Sequence, residues 1–311
     1  MDKQQLIQCH ERIKPFIHNT PVLTSRLINE FVNAQVFFKC ENFQRMGAFK
    51  MRGATNAILQ LSEGQRKNGV VTHSSGNFAQ ALSLAAQSLG VKAFIVMPDS
   101  APQVKKEAVK GYGGIITECE STLEARENTT KEIEQRERAT FIHPSNDDDV
   151  ILGQGTAGKE LLEVQPDLNY IVTPVGGGGL IAGNALAASF FGNNCRTIGG
   201  EPFEVDDAYR SMQSGTIETN SSTNTIADGL KTQLGDRNFP IIQRHVDQII
   251  RVTEQEIVAS MKLIWERLKI VCEPSSAVAL AAVLRDKKLF TGKKIGVIIS
   301  GGNVDLEKLP F

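Results

Sequence analysis

Short runs of β-branched and aromatic residues alternate with amphipathic stretches along almost the whole chain, and this alternation limits the fold more than any other feature. Strand, helix and strand in succession pack most readily as a parallel sheet covered by helices, so an α/β architecture is expected. The pattern predicts strands over Gln35–Glu41, Gly69–Thr72, Ala93–Met97, Gly114–Thr117, Thr140–His143, Tyr170–Val175, Thr197–Gly200, Gln248–Val252 and Ile295–Ser300. It predicts helices over Lys3–Phe16, Phe49–Leu61, Ala79–Leu89, Gln103–Lys110, Leu123–Arg136, Thr156–Glu163, Ile181–Phe190, Glu254–Leu268 and Ser275–Lys288. At 311 residues the chain is longer than one hydrophobic core usually serves, so two lobes or one large α/β unit are expected. No repeat, low-complexity run or long Pro/Ser-rich linker marks a boundary, which must lie in ordinary loops.

Charge and cysteine usage narrow the partners. Lys and Arg number 34 against 35 Asp and Glu, too even a balance to favour nucleic acid or an anionic membrane surface. A small molecule is the expected partner. Cys9, Cys40, Cys119, Cys195 and Cys272 are scattered, odd in number and contain no CxxC pair, which argues against a disulfide framework or a zinc site and for a reducing compartment. The amino-terminal stretch is charged and helical in period, and no apolar run approaches the roughly 20 residues of a membrane span. A soluble, cytoplasmic protein is expected.

Three predicted strands open into small polar residues at their carboxyl ends. Tyr170–Val175 runs into Gly176, Gly177, Gly178 and Gly179 and then a small-residue helix. Four glycines cost backbone entropy that a plain turn does not require, so something must approach this backbone closely. A phosphate fits, because exposed amides at a helix N-terminus form an anion cradle. The competing reading is a flexible loop; a nucleotide P-loop is disfavoured because no Lys-Ser or Lys-Thr pair follows the glycines. The second turn carries His73, Ser74, Ser75, Gly76 and Asn77, which serve either as helix caps or as donors to a substrate carboxylate. The third carries Gly301, Gly302 and Asn303 after Ser300. In open parallel sheets ligands bind beyond the carboxyl ends of strands, so all three turns can face one crevice.

Lys50 stands between Phe49 and Met51 in an otherwise small and apolar stretch. A lone lysine is usually a solvated charge. Buried among apolar neighbours, however, its pKa falls and its amine forms Schiff bases with carbonyl cofactors. A nucleophilic lysine and a phosphate cradle in one chain point to pyridoxal phosphate.

With PVLTS, FFKCENFQ, GAFKMRGA, VVTHSSGN, GQGT, GGGGL, IADGL, EPSS and ISGGNVDL in this order, the chain resembles the fold-type-II pyridoxal-phosphate enzymes, and among them the serine racemases and short threonine, serine and 3-hydroxyaspartate dehydratases. The resemblance implies a large domain formed by residues 1–68 and 147–311, with a small mobile domain of 69–146 inserted. It implies that Lys50 holds the cofactor, with Phe49 against the ring. Gly176 to Gly179 take the phosphate, Asn77 the ring oxygen, and Ser300 the pyridine nitrogen. Ser74, Ser75, Gly76 and Asn77 bind the substrate carboxylate. The resemblance also implies that Lys50 moves the α-proton on one face and Ser75 on the other. A neutral serine at the pyridine nitrogen makes the ring a weaker electron sink, which favours loss of a β-hydroxyl, so elimination to a 2-oxo acid and ammonia and racemisation branch from one step. A homodimer is implied as well.

Glu201 and Asp207, with the Val205 carbonyl, offer hard oxygen ligands; the resemblance at this loop turns an ordinary acidic pair into an expected site for Mg²⁺, Ca²⁺ or Mn²⁺. Arg126 resembles an arginine that reaches the substrate side chain in racemases; in that role it would welcome a β-carboxylate, and otherwise it is an exposed helix residue. Two residues depart from the usual pattern: Ala48 stands where many relatives have serine, and Phe78 where they have histidine. The chain ends just after Pro310, so no regulatory domain and no feedback inhibition by isoleucine are expected.

Three other readings compete. Gly153 to Gly158 matches the dinucleotide fingerprint, but no good strand precedes it and no acid follows at the right distance, so it reads better as a helix start that uses glycines for close packing. A non-catalytic amino-acid-binding module is opposed by the presence of Lys50, Ser75 and Ser300. Replacement chemistry on cysteine or O-acetylserine fits EPSS, IADGL and SGGNVDL less well.

Overall fold

A computed structural model describes residues 1–311. Its strands are β1 (Val22–Leu23), β2 (Gln35–Cys40), β3 (Val70–His73), β4 (Ala93–Pro98), β5 (Ile115–Cys119), β6 (Thr140–Phe141), β7 (Tyr170–Pro174), β8 (Arg196–Pro202), β9 (Val246–Val252) and β10 (Lys294–Ile299). They form two sheets, one ordered β1-β2-β10-β7-β8-β9 and the other β5-β4-β3-β6. Every pairing is parallel except that of the two-residue β1 with β2, the one strand that periodicity could not reveal. The smaller sheet is built wholly from residues between Val70 and Phe141.

The larger sheet reads as a parallel sheet covered on both faces. Every residue of β7 is buried, as are all of β10 after Lys294. Such strands carry apolar runs instead of alternation, because neither face meets water. Helices Gly179–Phe191 and Pro274–Arg285 pack against it and are themselves apolar on nearly every side, the mark of helices enclosed on all faces. Because β10 lies between β2 and β7, the chain segments leaving these three strands emerge side by side.

The predicted helix from Thr156 begins earlier, running Asp148–Val164. Asp147 caps it, accepting from the N–H groups of Asp149 and Val150 at 2.9 and 3.0 Å, and Asp148 and Asp149 lie in its first turn. The acidic run that makes a poor strand is therefore a helix start, favoured by the dipole. Gly153, Gly155 and Gly158 consequently lie inside a helix and not at its start. A Cβ on Gly153 would stand 2.5 Å from Gly53 Cα, and one on Gly155 2.6 Å from the Gly183 carbonyl oxygen. The fingerprint is the contact surface of packed helices, and the nicotinamide reading loses its strand-turn-helix context.

Candidate active site

Lys50 opens helix Lys50–Gln60, entered from an extended Ala48. That entry is held by the third turn: Ala48 bridges Gly301, and the Phe49 N–H donates to the Ser300 carbonyl at 2.9 Å. The Lys50 amine donates to the Pro144 carbonyl at 2.7 Å and lies 5.0 Å from the Phe49 ring centre and 5.6 Å from that of Phe78. Burial lowers its pKa to about 8, against the opposing pull of the Glu273 carboxylate. A lysine so placed yields a neutral, nucleophilic amine close to neutral pH.

Two residues beyond Lys50 the helix is locked. Arg52, wholly buried, donates from Nε and Nη2 to both oxygens of Glu41 at 2.7 and 2.8 Å, and from Nη1 and Nη2 to both of Glu160 at 2.8 and 2.7 Å. Lys39 Nζ adds a third bond to Glu160 at 2.6 Å, and His10 Nε2 lies 3.3 Å from the same carboxylate. These charge-assisted bonds hold Glu160 far below the usual carboxylate range, against the desolvation that raises it. They tie the turn that carries Lys50 to β2 and to helix Asp148–Val164.

Ser145, next to Pro144, packs against the glycine run. A Cβ on Gly177 would be 2.4 Å from Ser145 Oγ, on Gly179 2.7 Å from the Ser145 carbonyl oxygen, and on Gly176 2.7 Å from Leu230 Cα. The close approach that the sequence demands at these glycines is thus made by protein atoms on their Cβ side. Gly178 adds a left-handed φ of +79°. Asn238 Nδ2 pins the loop through the Gly177 and Ser145 carbonyls at 2.9 and 3.2 Å. None of the four glycine N–H groups donates to a protein acceptor, and they stand at the N-terminus of a helix of 13 residues. Unpaired amides aimed along a helix dipole suit a phosphate.

The second turn joins the same place. Asn77 Nδ2 donates to Glu273 at 3.0 and 3.1 Å, while Asn77 Oδ1 accepts from Asn303 Nδ2 at 2.9 Å. Ser74, Ser75 and Gly76 are half-buried, and the Ser75 hydroxyl is bonded to no protein group. Ser300, 2 % exposed, lies 2.9 Å from the Ser276 hydroxyl, which bonds both the N–H and the carbonyl of Gly301 at 2.7 Å. Phe78 is buried beside Lys50, so the departure at this position puts an apolar ring against the amine. Arg126 lies on helix Leu123–Glu137, its Nε donating to the Thr122 carbonyl at 3.2 Å, and it acts on His73, whose pKa is lowered first by burial and then by that charge. Sequence reasoning gave no role to Glu273, Ser276, Asn303 or Asn238. EPSS and GGN mark the first three as motif letters, but nothing local announces Asn238.

Glu201 and Asp207 lie elsewhere, at the end of β8 and the start of helix Asp207–Ser214. Both are wholly buried. Glu201 accepts from the Ala208 and Tyr209 N–H groups at 3.0 and 2.8 Å, and Asp207 from Asn220 Nδ2 and the Leu234 N–H at 2.5 and 3.1 Å. Burial, then the Asp207 charge, pushes Glu201 well up; burial pushes Asp207 up to about 6. No third His, Cys, Asp or Glu joins them in a ligating cluster.

Residues 13–301 match the family described as "Pyridoxal-phosphate dependent enzyme". The chain belongs to that family. It is 49 % identical over 308 residues to a beta-hydroxyaspartate dehydratase of Paracoccus denitrificans, covering 99 % of this chain and 98 % of that protein. The crystal structure of a serine racemase from Dictyostelium discoideum superposes with a TM-score of 0.95 at 50 % identity, over 98 % of this chain and 99 % of the other. A threonine deaminase from Solanum lycopersicum superposes with a TM-score of 0.92 at 32 % identity, over 99 % and 92 %. The architecture is therefore that of a fold-type-II pyridoxal-phosphate enzyme, on the branch that holds ammonia-lyases and racemases. No helix is long and apolar enough to cross a membrane.

Proposed function

We propose that this enzyme removes the α-proton of small β-hydroxy amino acids, serine and threonine among them, and releases a 2-oxo acid and ammonia, with racemisation as a branch. The observation that carries this is a lysine amine whose pKa burial lowers, bonded to the Pro144 carbonyl beside Ser145, against which pack four glycines with unpaired amides at a helix N-terminus. Bound pyridoxal phosphate supplies an electron sink for the α-carbon. The chain supplies the rest. Lys50 Nζ carries a proton to and from one face, and the unengaged Ser75 hydroxyl serves the other. The Gly176–Gly179 amides hold the phosphate, an Asn77 N–H the ring oxygen, and Ser300 Oγ the pyridine nitrogen, with Phe49 against the ring. Ser74, Ser75, Gly76 and Asn77 orient the substrate carboxylate. Residues 69–146 form a small domain that moves over this crevice, hinged on 1–68 and 147–311.

Keto-acid release and product chirality, followed together from L-serine, D-serine, L-threonine and 3-hydroxyaspartate, test the reading. Borohydride reduction must fix the cofactor on Lys50; a colourless reconstituted protein, or a label on another peptide, overturns it. A second reading, 3-hydroxyaspartate as preferred substrate, is supported by Arg126, which is paired with no carboxylate, and by the similarity to the Paracoccus dehydratase. Arg126→Ala should then cut kcat/KM for 3-hydroxyaspartate far more than for serine.

The reading extends to Mg²⁺, Ca²⁺ or Mn²⁺ held by Glu201, Asp207 and the Val205 carbonyl. Two like charges buried against each other, both driven toward the protonated form, are what a divalent cation relieves. Five unpaired cysteines favour a reducing, cytoplasmic setting, and the family resemblance favours a homodimer, which sedimentation tests.

A further inference from the structure

A carboxylate that this chemistry does not use lies behind Asn77. Glu273 precedes helix Pro274–Arg285, is 4 % exposed, and is anchored by its own backbone, whose N–H donates to the Gly301 carbonyl at 3.0 Å and whose carbonyl accepts the Ser276 N–H at 3.0 Å. Its two oxygens share Asn77 Nδ2 at 3.0 and 3.1 Å. The far end of that amide is fixed too. Asn77 Oδ1 accepts from Asn303 Nδ2, which also reaches the Met46 carbonyl, each at 2.9 Å. With its oxygen toward Asn303 and one N–H on Glu273, the amide cannot flip, and its second N–H is left for another acceptor. Even Gly301 serves this arrangement, since a Cβ there would stand 2.9 Å from Glu273 Oε1.

We propose that Glu273 is a positioning residue for the cofactor: it turns the Asn77 amide so that an N–H meets the ring oxygen, and its negative charge holds a proton on the Lys50 nitrogen. This rests on the assignment of Lys50 and Asn77 made above. The charged and titratable groups that face Glu273 are Lys50 from helix Lys50–Gln60, Asp228 from the turn Asp228–Leu230, Lys105 from helix Gln103–Gly111, and the neighbouring Cys272 thiol. Lys105 also acts on Glu273 but is itself paired with Asp228 at 2.7 Å, whereas Lys50 follows two residues after Ala48, whose Cβ and Glu273 Oε1 flank the Cβ position of Gly301 at 3.0 and 2.9 Å. Burial raises Glu273 to about 7, Asp228 adding to the rise while Asn77 opposes it, and burial lowers Lys50 to about 8. Near neutrality the charge on each depends on the other.

The experiment follows the visible absorption of the reconstituted holoenzyme against pH, together with cofactor affinity. Glu273→Gln keeps an oxygen for Asn77 and removes the charge. The midpoint at which the protonated, longer-wavelength band disappears should move down by about one pH unit, as expected when an opposite charge is lost nearby, with affinity largely kept. Glu273→Ala removes both and should weaken affinity about tenfold, the cost of losing a charge-assisted hydrogen bond. Should that variant fail to fold, Glu273→Asp keeps the charge but draws it back, and should show a midpoint near wild type with weaker affinity. A purely structural glutamate would change unfolding in urea and leave the midpoint where it was. An unshifted midpoint in cofactor-bound Glu273→Gln overturns the role of the charge, and unchanged affinity in Glu273→Ala or Glu273→Asp overturns the role of the amide. Wild type without a visible band, or trapped away from Lys50, sinks the assignment of Lys50 itself, so the two failures are told apart.

Discussion

Around Arg52 two cations, Arg52 and Lys39, face two carboxylates, Glu41 and Glu160, and every charge is answered inside the chain. Around Glu201 the same burial is answered differently. Glu201 and Asp207 face each other, while the nearby Arg210 and Arg251 are turned to Asp206 at 2.7 and 2.8 Å. The first group drives a carboxylate down and the second drives two up. Desolvation is common to both, so the difference is whether a cation bonds the carboxylate directly, as Arg52 and Lys39 bond Glu160, or acts only from a distance, as Arg210 does on Asp207. A balanced cluster fixes geometry, here the turn bearing Lys50. An unbalanced one leaves acids that burial drives toward the protonated form.

Breaking the balance should have the largest effect. Arg52→Met leaves two carboxylates stranded and should cost about 3–5 kcal/mol, read from urea unfolding of the cofactor-free protein. Loss of well under 1 kcal/mol would mean that the cluster is solvated in solution. Answering the unbalanced pair comes next. Mg²⁺ at about 100 times its Kd should add about 2.7 kcal/mol to wild type, seen as a rise in Tm, and nothing to Glu201→Gln or Asp207→Asn. A rise that survives both substitutions would place the cation somewhere else.

The two groups should also give opposite pH dependence in metal-free protein. Glu160 is depressed in the fold, so its contribution is present above its unfolded pKa and is lost as pH falls through the acid range. Asp207 is raised to about 6, so its contribution is complete below its unfolded pKa and is lost as pH rises through about 6. Asp207's share of this loss should be about 2 kcal/mol between mildly acidic and neutral pH, read as the difference in pH dependence between wild type and Asp207→Asn. The smallest effect concerns the cation of the active site. Phe78 offers Lys50 a ring at 5.6 Å, and such a contact is worth about 1 kcal/mol. Phe78→His should change the relative rates on serine, threonine and 3-hydroxyaspartate with the cofactor still bound; an unchanged ranking refutes this.

Much of the site is written in local chemistry. Lys50 among small and apolar residues, four glycines after an apolar strand, and the SSGN and SGGN turns each carry their signal within a few positions. So do nine of the ten strands, because β-branched runs and the turns after them are short-range features; the two residues of β1 are too few to show a period. Asp147 was harder to read, since an acidic run before an apolar stretch fits a loop as well as a capped helix. The glycines of 153–158 were harder still: their spacing matches a ligand-binding turn, and the surfaces they pack against, Gly53 and Gly183, are remote in the chain.

The sequence by itself therefore determined the α/β class, the order of the strands along the chain and the residues able to do chemistry, because propensity and motif are properties of neighbours. Only the tertiary structure decided which charges meet. Glu41, Arg52 and Glu160 close into a balanced cluster and Glu273 onto Asn77, although Glu160 lies far along the chain from Arg52, and Glu273 from Asn77; Glu201 and Asp207 are near neighbours in sequence, and the fold decided only that both are buried. Burial and charge pairing depend on what folding brings together across the sheets, and no residue carries that information alone.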